Sequence, residues 1–271
     1  MDLALPLDTI EIIGLTAAKQ AGDIFHHSHS AHIVKHKSHS QDIVTNTDLA
    51  MEKVILQTIQ DKFPHHGFDS EEAGKINSQA DYIWIIDPLD GTKNLKRGIP
   101  LISTSLSCQY QEQTVFAAVA IHTWNMTVHA LKGKGTYLNG QKTQVSSTNS
   151  LKNAFIYAEL PTPWAKRPTP KEQLDHNLKL FNILTRNCYR IRAFGSGPIG
   201  LALTAIGAFD AYINLYQGSD PGDIEPGKFL VEQASGQTSD ITGQPYTGQK
   251  TTDLLASNED LHSQLLRLLN P

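Results

Sequence analysis

The chain has 271 residues, with 23 Lys and Arg against 27 Asp and Glu, a formal charge of −4 and a hydrophobic fraction of 39%. That length holds one large domain or two small ones and buries enough surface to fold without a disulfide or metal staple, while the mild charge gives no electrostatic case for binding nucleic acid or a membrane surface. The two cysteines, Cys108 and Cys188, form no C-x-x-C pair, the longest apolar run (Val115 to Ile121) is far short of a spanning helix, and the Met1-Asp2-Leu3 start carries no basic n-region, so a soluble cytoplasmic protein is expected.

In chain order, residues 7–27 read as a helix, because Ile10, Ile13, Ala17, Ala21, Ile24 and Phe25 recur at spacings of three and four. A second helix follows Thr47, with Asp48 and Glu52 in its first turns and Leu49, Val54, Ile55 and Ile59 on one face. Tyr82 to Ile86 is a short apolar strand that stops at Asp87-Pro88. Ser103–Gln109, Val115–His122 and Thr127–Leu131 read as three strands of a sheet. The polar stretch Ser146–Lys152 marks a domain boundary, giving an N-terminal α+β domain over 1–148 and a C-terminal α/β domain over 149–271. Beyond it come a strand at Phe155–Ala158, a helix at Lys171–Thr185, a strand at Tyr189–Arg192, a helix at Pro198–Ile206, a strand at Phe209–Leu215 and a helix at Gly227–Ala234.

The strongest local signal is Trp84-Ile85-Ile86-Asp87-Pro88-Leu89-Asp90-Gly91-Thr92, an apolar strand that delivers two acids three residues apart at its carboxyl end. Pro88 stiffens the turn, and Gly91 permits a close approach or a positive φ. Each acid has an ordinary structural explanation by itself: an Asx turn for this pair, a solvated loop for Asp69-Ser70-Glu71-Glu72, a helix cap for Asp223. Taken with Asp42-Ile43-Val44-Thr45-Asn46-Thr47-Asp48, they form a set of oxygen donors without Cys or an H-x-x-H arrangement. That chemistry suits a hard cation such as magnesium, and two ions sharing an acid would serve phosphate ester displacement.

These blocks resemble the inositol monophosphatase family of magnesium-dependent, lithium-sensitive phosphatases: Asp42-x-Val44-Thr45-x-x-Asp48, Glu71-Glu72, Asp87-Pro88-Leu89-Asp90-Gly91-Thr92-x-Asn94 and the late Asp223, in that order. Gly195-Ser196-Gly197 and Ala205-x-Gly207-x-x-Asp210-Ala211-Tyr212 are also similar, so the likeness spans nearly the whole chain. The resemblance implies a layered α-β-α-β-α sandwich of the inositol monophosphatase and fructose-1,6-bisphosphatase type, commonly dimeric, acting on a small phosphorylated metabolite with two or three magnesium ions. It implies that Glu71, Asp87 and the Leu89 carbonyl hold one ion, and that Asp87, Asp90 and Asp223 hold another. Glu71 and Thr92 would orient the attacking water, with Asp48 bonded to Thr92. Asp90, Gly91, Thr92, Gly195, Ser196, Asn214 and the basic Lys37 would meet the substrate.

Two departures bear on this. Gly222 stands where the family usually has Trp before the last metal-binding Asp, and Asp220 competes with Asp223, which is preferred because Gly227–Gly236 keeps the family's helix register. Asn214 stands where inositol-specific members carry a Glu that reads hydroxyls, and a changed polar contact there shifts substrate preference. Inositol monophosphate is therefore the first expectation, with histidinol phosphate, fructose 1,6-bisphosphate and adenosine 3′,5′-bisphosphate as alternatives; Lys93-Asn94-x-x-Arg97-Gly98-x-Pro100 resembles the histidinol-phosphate phosphatases. The rival of another class is a non-catalytic scaffold that contacts RNA or transcription machinery. The early histidines (His26, His27, His29, His32, His36, His39) fit no zinc spacing and read as solvated.

Overall fold

The computed structural model describes residues 7–28, 32–36, 43–163, 169–216, 221–246 and 253–270. The chain divides into two compact units, Met1–Lys134 with Leu138–Gly140, and Gly135–Tyr137 with Gln141–Pro271. The polar Ser146–Lys152 stretch lies within the second unit, where the Asn258 side-chain amide donates to the carbonyls of Ser146 and Thr148 at 2.8 Å each.

The first unit opens with helix α1 (Leu7–His27), the strand pair β1 (Ile33–His36) and β2 (Ile43–Thr45), and helix α2 (Asn46–Lys62). Strands β3 (Gly67–Ser70), β4 (Gly74–Ile76) and β5 (Tyr82–Asp90), the short helix α3 (Thr92–Lys96), and strands β6 (Ser103–Tyr110), β7 (Gln113–Ile121) and β8 (Met126–Leu131) follow. Six of these strands run in the order β4-β3-β5-β6-β7-β8. One face of that sheet carries Trp84, Ile86, Leu106, Cys108 and Phe116 against the apolar stripes of α1 and α2, led by Ile10, Ala17, Met51 and Ile55. The approach is close: a Cβ on Gly14 would stand 2.2 Å from the Phe116 ring. Burying the fully enclosed Trp84 and Phe116 rings supplies on the order of 2–3 kcal/mol each.

Two short strands, β9 (Gly135–Leu138) and β10 (Gln141–Thr143), lead on. The second unit then alternates β11 (Phe155–Glu159), α4 (Lys171–Asn187), β12 (Arg190–Arg192), α5 (Gly197–Ala205), β13 (Ala211–Asn214) and α6 (Pro221–Gln233) before β14 (Gln237–Ser239), β15 (Leu255–Ser257) and α7 (Glu259–Leu269). Its sheet order is β12-β11-β13-β15-β14, parallel across β12-β11-β13. The period-2 alternation of a strand sorts its faces. Ile156, Ile213 and Leu255 pack with Leu180, Leu184, Leu261 and Leu265 of α4 and α7, while Tyr157 faces α5, where a Cβ on Gly200 would meet the Tyr157 ring at 2.5 Å.

Strand β5 and helix α6 run past their predicted limits where the candidate residues lie. Strand β5 does not stop at Asp87 but continues to Asp90, because a register irregularity between Asp87 and Asp90 lets pairing with β6 resume beyond Pro88. Helix α6 begins at Pro221 rather than Gly227 and holds Pro226 within it; a proline there forfeits one N–H bond without ending the helix.

Candidate active site

The carboxylate turn is built by strand geometry. Strand β3 pairs parallel with β5, Ser70 opposite Ile86, and the Glu71 N–H donates to the Ile86 carbonyl at 3.1 Å. That register sets Glu71 alongside Asp87 from a segment distant in sequence. Asp87 is buried, with Oδ1 accepting the Leu89 N–H at 3.0 Å. On β6, Asp87 pairs with Ser105 and Asp90 with Ser103, and the Ser103 hydroxyl stands 3.4 Å from Asp90 Oδ2. Gly91 turns the chain into α3 at φ +96°, and a Cβ there would stand 2.3 Å from the Leu101 carbonyl oxygen, so only glycine fits.

The Thr45–Asp48 block meets this turn. Thr45 caps α2 in a reciprocal box: its hydroxyl accepts the Thr47 N–H at 3.2 Å, while Asp48 Oδ2 accepts both the Thr45 N–H, at 3.1 Å, and the Thr45 hydroxyl. The other Asp48 oxygen accepts the Thr92 hydroxyl at 2.8 Å; the Leu89 carbonyl lies 3.2 Å from the same hydroxyl. Burial pushes the Asp48 carboxyl above its ordinary value, and the bonds from Thr45 and Thr92 pull it back in part.

A residue that sequence reasoning did not assign holds the Glu71 turn. Glu52, buried on α2, accepts the Ser70 hydroxyl and the N–H groups of Glu72 and Ala73, the latter two at 3.0 Å, all on Oε1. Glu72 in turn pairs with Lys35 at 3.0 Å, its side chain 2% exposed against 50% for the lysine. Glu71 itself is exposed.

Among the described residues, no three His, Cys, Asp or Glu side chains stand grouped as a metal site. What the turn offers is an all-oxygen set: the Asp87 and Asp90 carboxylates, the Leu89 carbonyl and the Thr92 hydroxyl, with Glu71 on the adjoining strand end. Carboxylate and carbonyl donors without thiolate or imidazole fit magnesium rather than zinc. Lys37, Asp42 and Asp220 lie outside the described residues, as do His29 and His39.

The second unit carries the remaining candidates: Asn214 ends the parallel strand β13, Gly195 and Ser196 follow β12, and Asp223 lies on α6. Asp223 lies in the first turn of α6, half-buried. Asn214 is fully buried opposite Glu159, and its Oδ1 accepts the Tyr216 N–H at 2.8 Å. Ser196 caps α5, its hydroxyl accepting the Ile199 N–H at 3.4 Å, and Gly195 before it has φ +71°. The Ser196 N–H donates to the Tyr157 phenol oxygen at 3.0 Å, and that phenol lies 2.8 Å from both Glu159 Oε1 and the Ser196 carbonyl. Burial pushes the Glu159 carboxyl up to about 7, against the bonds from Tyr157 and the Ser196 backbone.

Elsewhere, His27 Nδ1 lies 2.7 Å from the Asp23 carbonyl within α1, and its side chain is exposed. Cys108 is buried, with burial pushing its thiol up; the Cys188 thiol is pushed up to about 11 for the same reason. Trp84 is core, its indole N–H donating to His66 Nδ1 at 3.0 Å. No helix of the described residues is long and apolar enough to cross a membrane.

The bulged strand end thus carries two acids and a carbonyl beside a hydroxyl held by a third acid. The chain belongs to the inositol monophosphatase family, whose model matches residues 7–271. It is 32% identical over 264 residues to the Nus factor SuhB of Pseudomonas aeruginosa, covering 96% of this chain and 95% of that one. It is 31% identical to human inositol monophosphatase 1, covering 93% and 91%. A solved inositol monophosphatase/NADP phosphatase, complexed with magnesium and phosphate, superposes with a TM-score of 0.81 at 24% identity, over 97% of this chain and 96% of its own. The fold is of the inositol monophosphatase and fructose-1,6-bisphosphatase type.

Proposed function

We propose that this chain hydrolyses a small-molecule phosphate monoester with magnesium, inositol monophosphate being the first substrate to test. The observation that carries the reading is the hydrogen bond from Thr92 to Asp48, which joins the two most specific sequence blocks at the bulged end of β5. The proposed magnesium ligands are Glu71, Asp87, the Leu89 carbonyl and Asp90 in the first unit, with Asp223 as the second unit's candidate. Bound magnesium supplies charge neutralisation at phosphoryl oxygens and a more acidic water. The chain's own part follows from the donor geometry. The Thr92 hydroxyl donates to Asp48 Oδ1, so the Thr92 oxygen presents lone pairs to a water and aligns it. A proton leaving that water passes to Thr92 Oγ as the Thr92 proton passes to Asp48. Water oxygen bonds to phosphorus, the ester P–O bond breaks, and the departing alcohol takes up a proton. Gly195, Ser196 and Asn214 are proposed to meet the organic part of the substrate, and Gly91, Thr92 and Lys37 the phosphate. A cytoplasmic homodimer belongs to the same reading.

The test is phosphate release from a panel holding inositol 1-phosphate, histidinol phosphate, fructose 1,6-bisphosphate and adenosine 3′,5′-bisphosphate, with magnesium and with chelator. Turnover of at least one ester only with magnesium supports the reading, and none on any of them refutes it. The likeness to a Nus factor favours a second reading, a role in transcription complexes; binding of the purified chain to RNA polymerase with no turnover on the panel would select it.

A further inference from the structure

The bulge in β5 brings the Pro88 carbonyl to a side-chain donor on β6. Pro88 has no N–H to donate, and the irregularity between Asp87 and Asp90 lifts the chain off the regular ladder opposite Thr104. The Pro88 carbonyl instead accepts the Thr104 hydroxyl at 2.8 Å. The same hydroxyl oxygen lies 2.7 Å from His122 Nε2. A threonine has one hydroxyl proton, and the carbonyl takes it, so Nε2 must be the donor to the threonine oxygen. His122 thus carries a proton on Nε2, and burial, which lowers its basicity to about 4, keeps the ring neutral at pH 7. Thr104 is fully buried and His122 is 5% exposed. The imidazole is gripped in turn by α1: Phe25 stacks on it with ring centres 5.5 Å apart, and a Cβ on Gly22 would stand 2.8 Å from its Nδ1.

A buried polar chain of this kind gives an apolar core no transfer energy. What it does supply is direction. The carbonyl it holds lies between the two acids of the turn, adjacent to the Asp87 backbone and one residue from the Leu89 carbonyl.

We propose that His122 is a positioning residue for the cation-binding turn, acting through the Thr104 hydroxyl on the Pro88 carbonyl to fix the spacing of Asp87, the Leu89 carbonyl and Asp90. This rests on the magnesium phosphatase reading above and assigns a role to residues that neither touch substrate nor ligate metal. Outer partners of metal ligands typically govern affinity by about 10- to 100-fold.

The test is calorimetric titration of magnesium into the substrate-free full chain, beside kcat and KM at saturating magnesium. Thr104→Val and His122→Phe keep volume and remove the chain. Each is expected to weaken magnesium binding by about tenfold or more and to lower kcat, with substrate KM held within about twofold. The double variant is expected to be no worse than Thr104→Val alone, because both cut one chain. His122→Gln restores an N–H donor and Thr104→Ser restores the hydroxyl; both are expected to bind magnesium within about threefold of wild type. Those two also report if the apolar variants fail to fold. Wild-type affinity in Thr104→Val and His122→Phe, or a loss in His122→Gln and Thr104→Ser as large as in the apolar variants, overturns the inference alone. A wild-type chain that binds no magnesium overturns the metal reading and this inference together.

Discussion

The Asp48–Thr92 hydrogen bond invites a double-mutant cycle. Thr92→Val keeps the shape of the side chain and removes the hydroxyl. Asp48 retains the two Thr45 donors on its other oxygen, so it is not left bare, and the stability cost falls near the low end of a bond to a charged group, about 1.5 kcal/mol. Turnover is expected to suffer more, because the lost hydroxyl is the one proposed to align water, with a fall of about 10²–10³ in kcat. Asp48→Asn acts on the same bond from the far side. Thr45 donates twice to Oδ2, so the amide must turn its oxygen toward Thr45 and its NH2 toward Thr92. The Thr92 hydroxyl then accepts where it had donated, and its lone pairs no longer face the water. If both substitutions break one relay, the double variant is about as slow as Thr92→Val alone, and the cycle returns a coupling of at least about 1.5–3 kcal/mol, or roughly 10- to 150-fold in kcat. The assay is steady-state phosphate release at saturating magnesium on the best ester of the panel, with urea unfolding of each variant alongside. Factors that simply multiply would refute the relay.

Asp90→Asn, which keeps size and removes the charge at the bulge, is expected to lower magnesium-dependent turnover by at least about a hundredfold, read in the same assay. Glu52→Ala strands the Ser70 hydroxyl and two backbone N–H groups, so the urea midpoint should fall by the equivalent of about 2–4 kcal/mol at unchanged m-value; a shift within error would show that water replaces the carboxylate. Glu159 sets a pH dependence with a defined sign. Its carboxyl is raised from 4.5 in the unfolded chain to about 7 in the folded one, so its contribution is fully present below 4.5 and is lost as pH rises through about 7. Glu159→Gln should therefore gain stability relative to wild type between pH 5 and pH 8 in urea titrations, and a constant difference across that range would contradict the assignment.

How much of this was legible in the sequence depends on the range of each interaction. The Asp87-to-Thr92 block announces itself because proline, glycine and two acids at the end of an apolar strand act within one turn, and Thr45-x-x-Asp48 does so because a capping box closes within four residues. Helix α1 matched its predicted limits, residues 7–27, for the same reason: its apolar period is local and strong. The bulge was not legible, because it depends on β6 offering Thr104 opposite Pro88. Glu52 read as one more acid on a helix face, and only the parallel pairing of β3 with β5 reveals that it grips the turn after Ser70. Glu159 lies one residue past the predicted end of its strand, and its environment comes from Tyr157 and Ser196. His122 lies at the end of an apolar run, where nothing in the neighbouring residues names Thr104 as its partner.

If the oxygen-lined turn on β5 uses magnesium to cleave a phosphate ester, as proposed, the cation governs turnover. The most direct measurement is inorganic phosphate released by the purified chain from inositol 1-phosphate and histidinol phosphate, once in chelator and once with excess magnesium. Turnover on at least one ester is expected to appear with magnesium, to vanish in chelator and to be lost in Asp87→Asn. Equal release with and without the cation, or full activity in Asp87→Asn, would contradict that proposal.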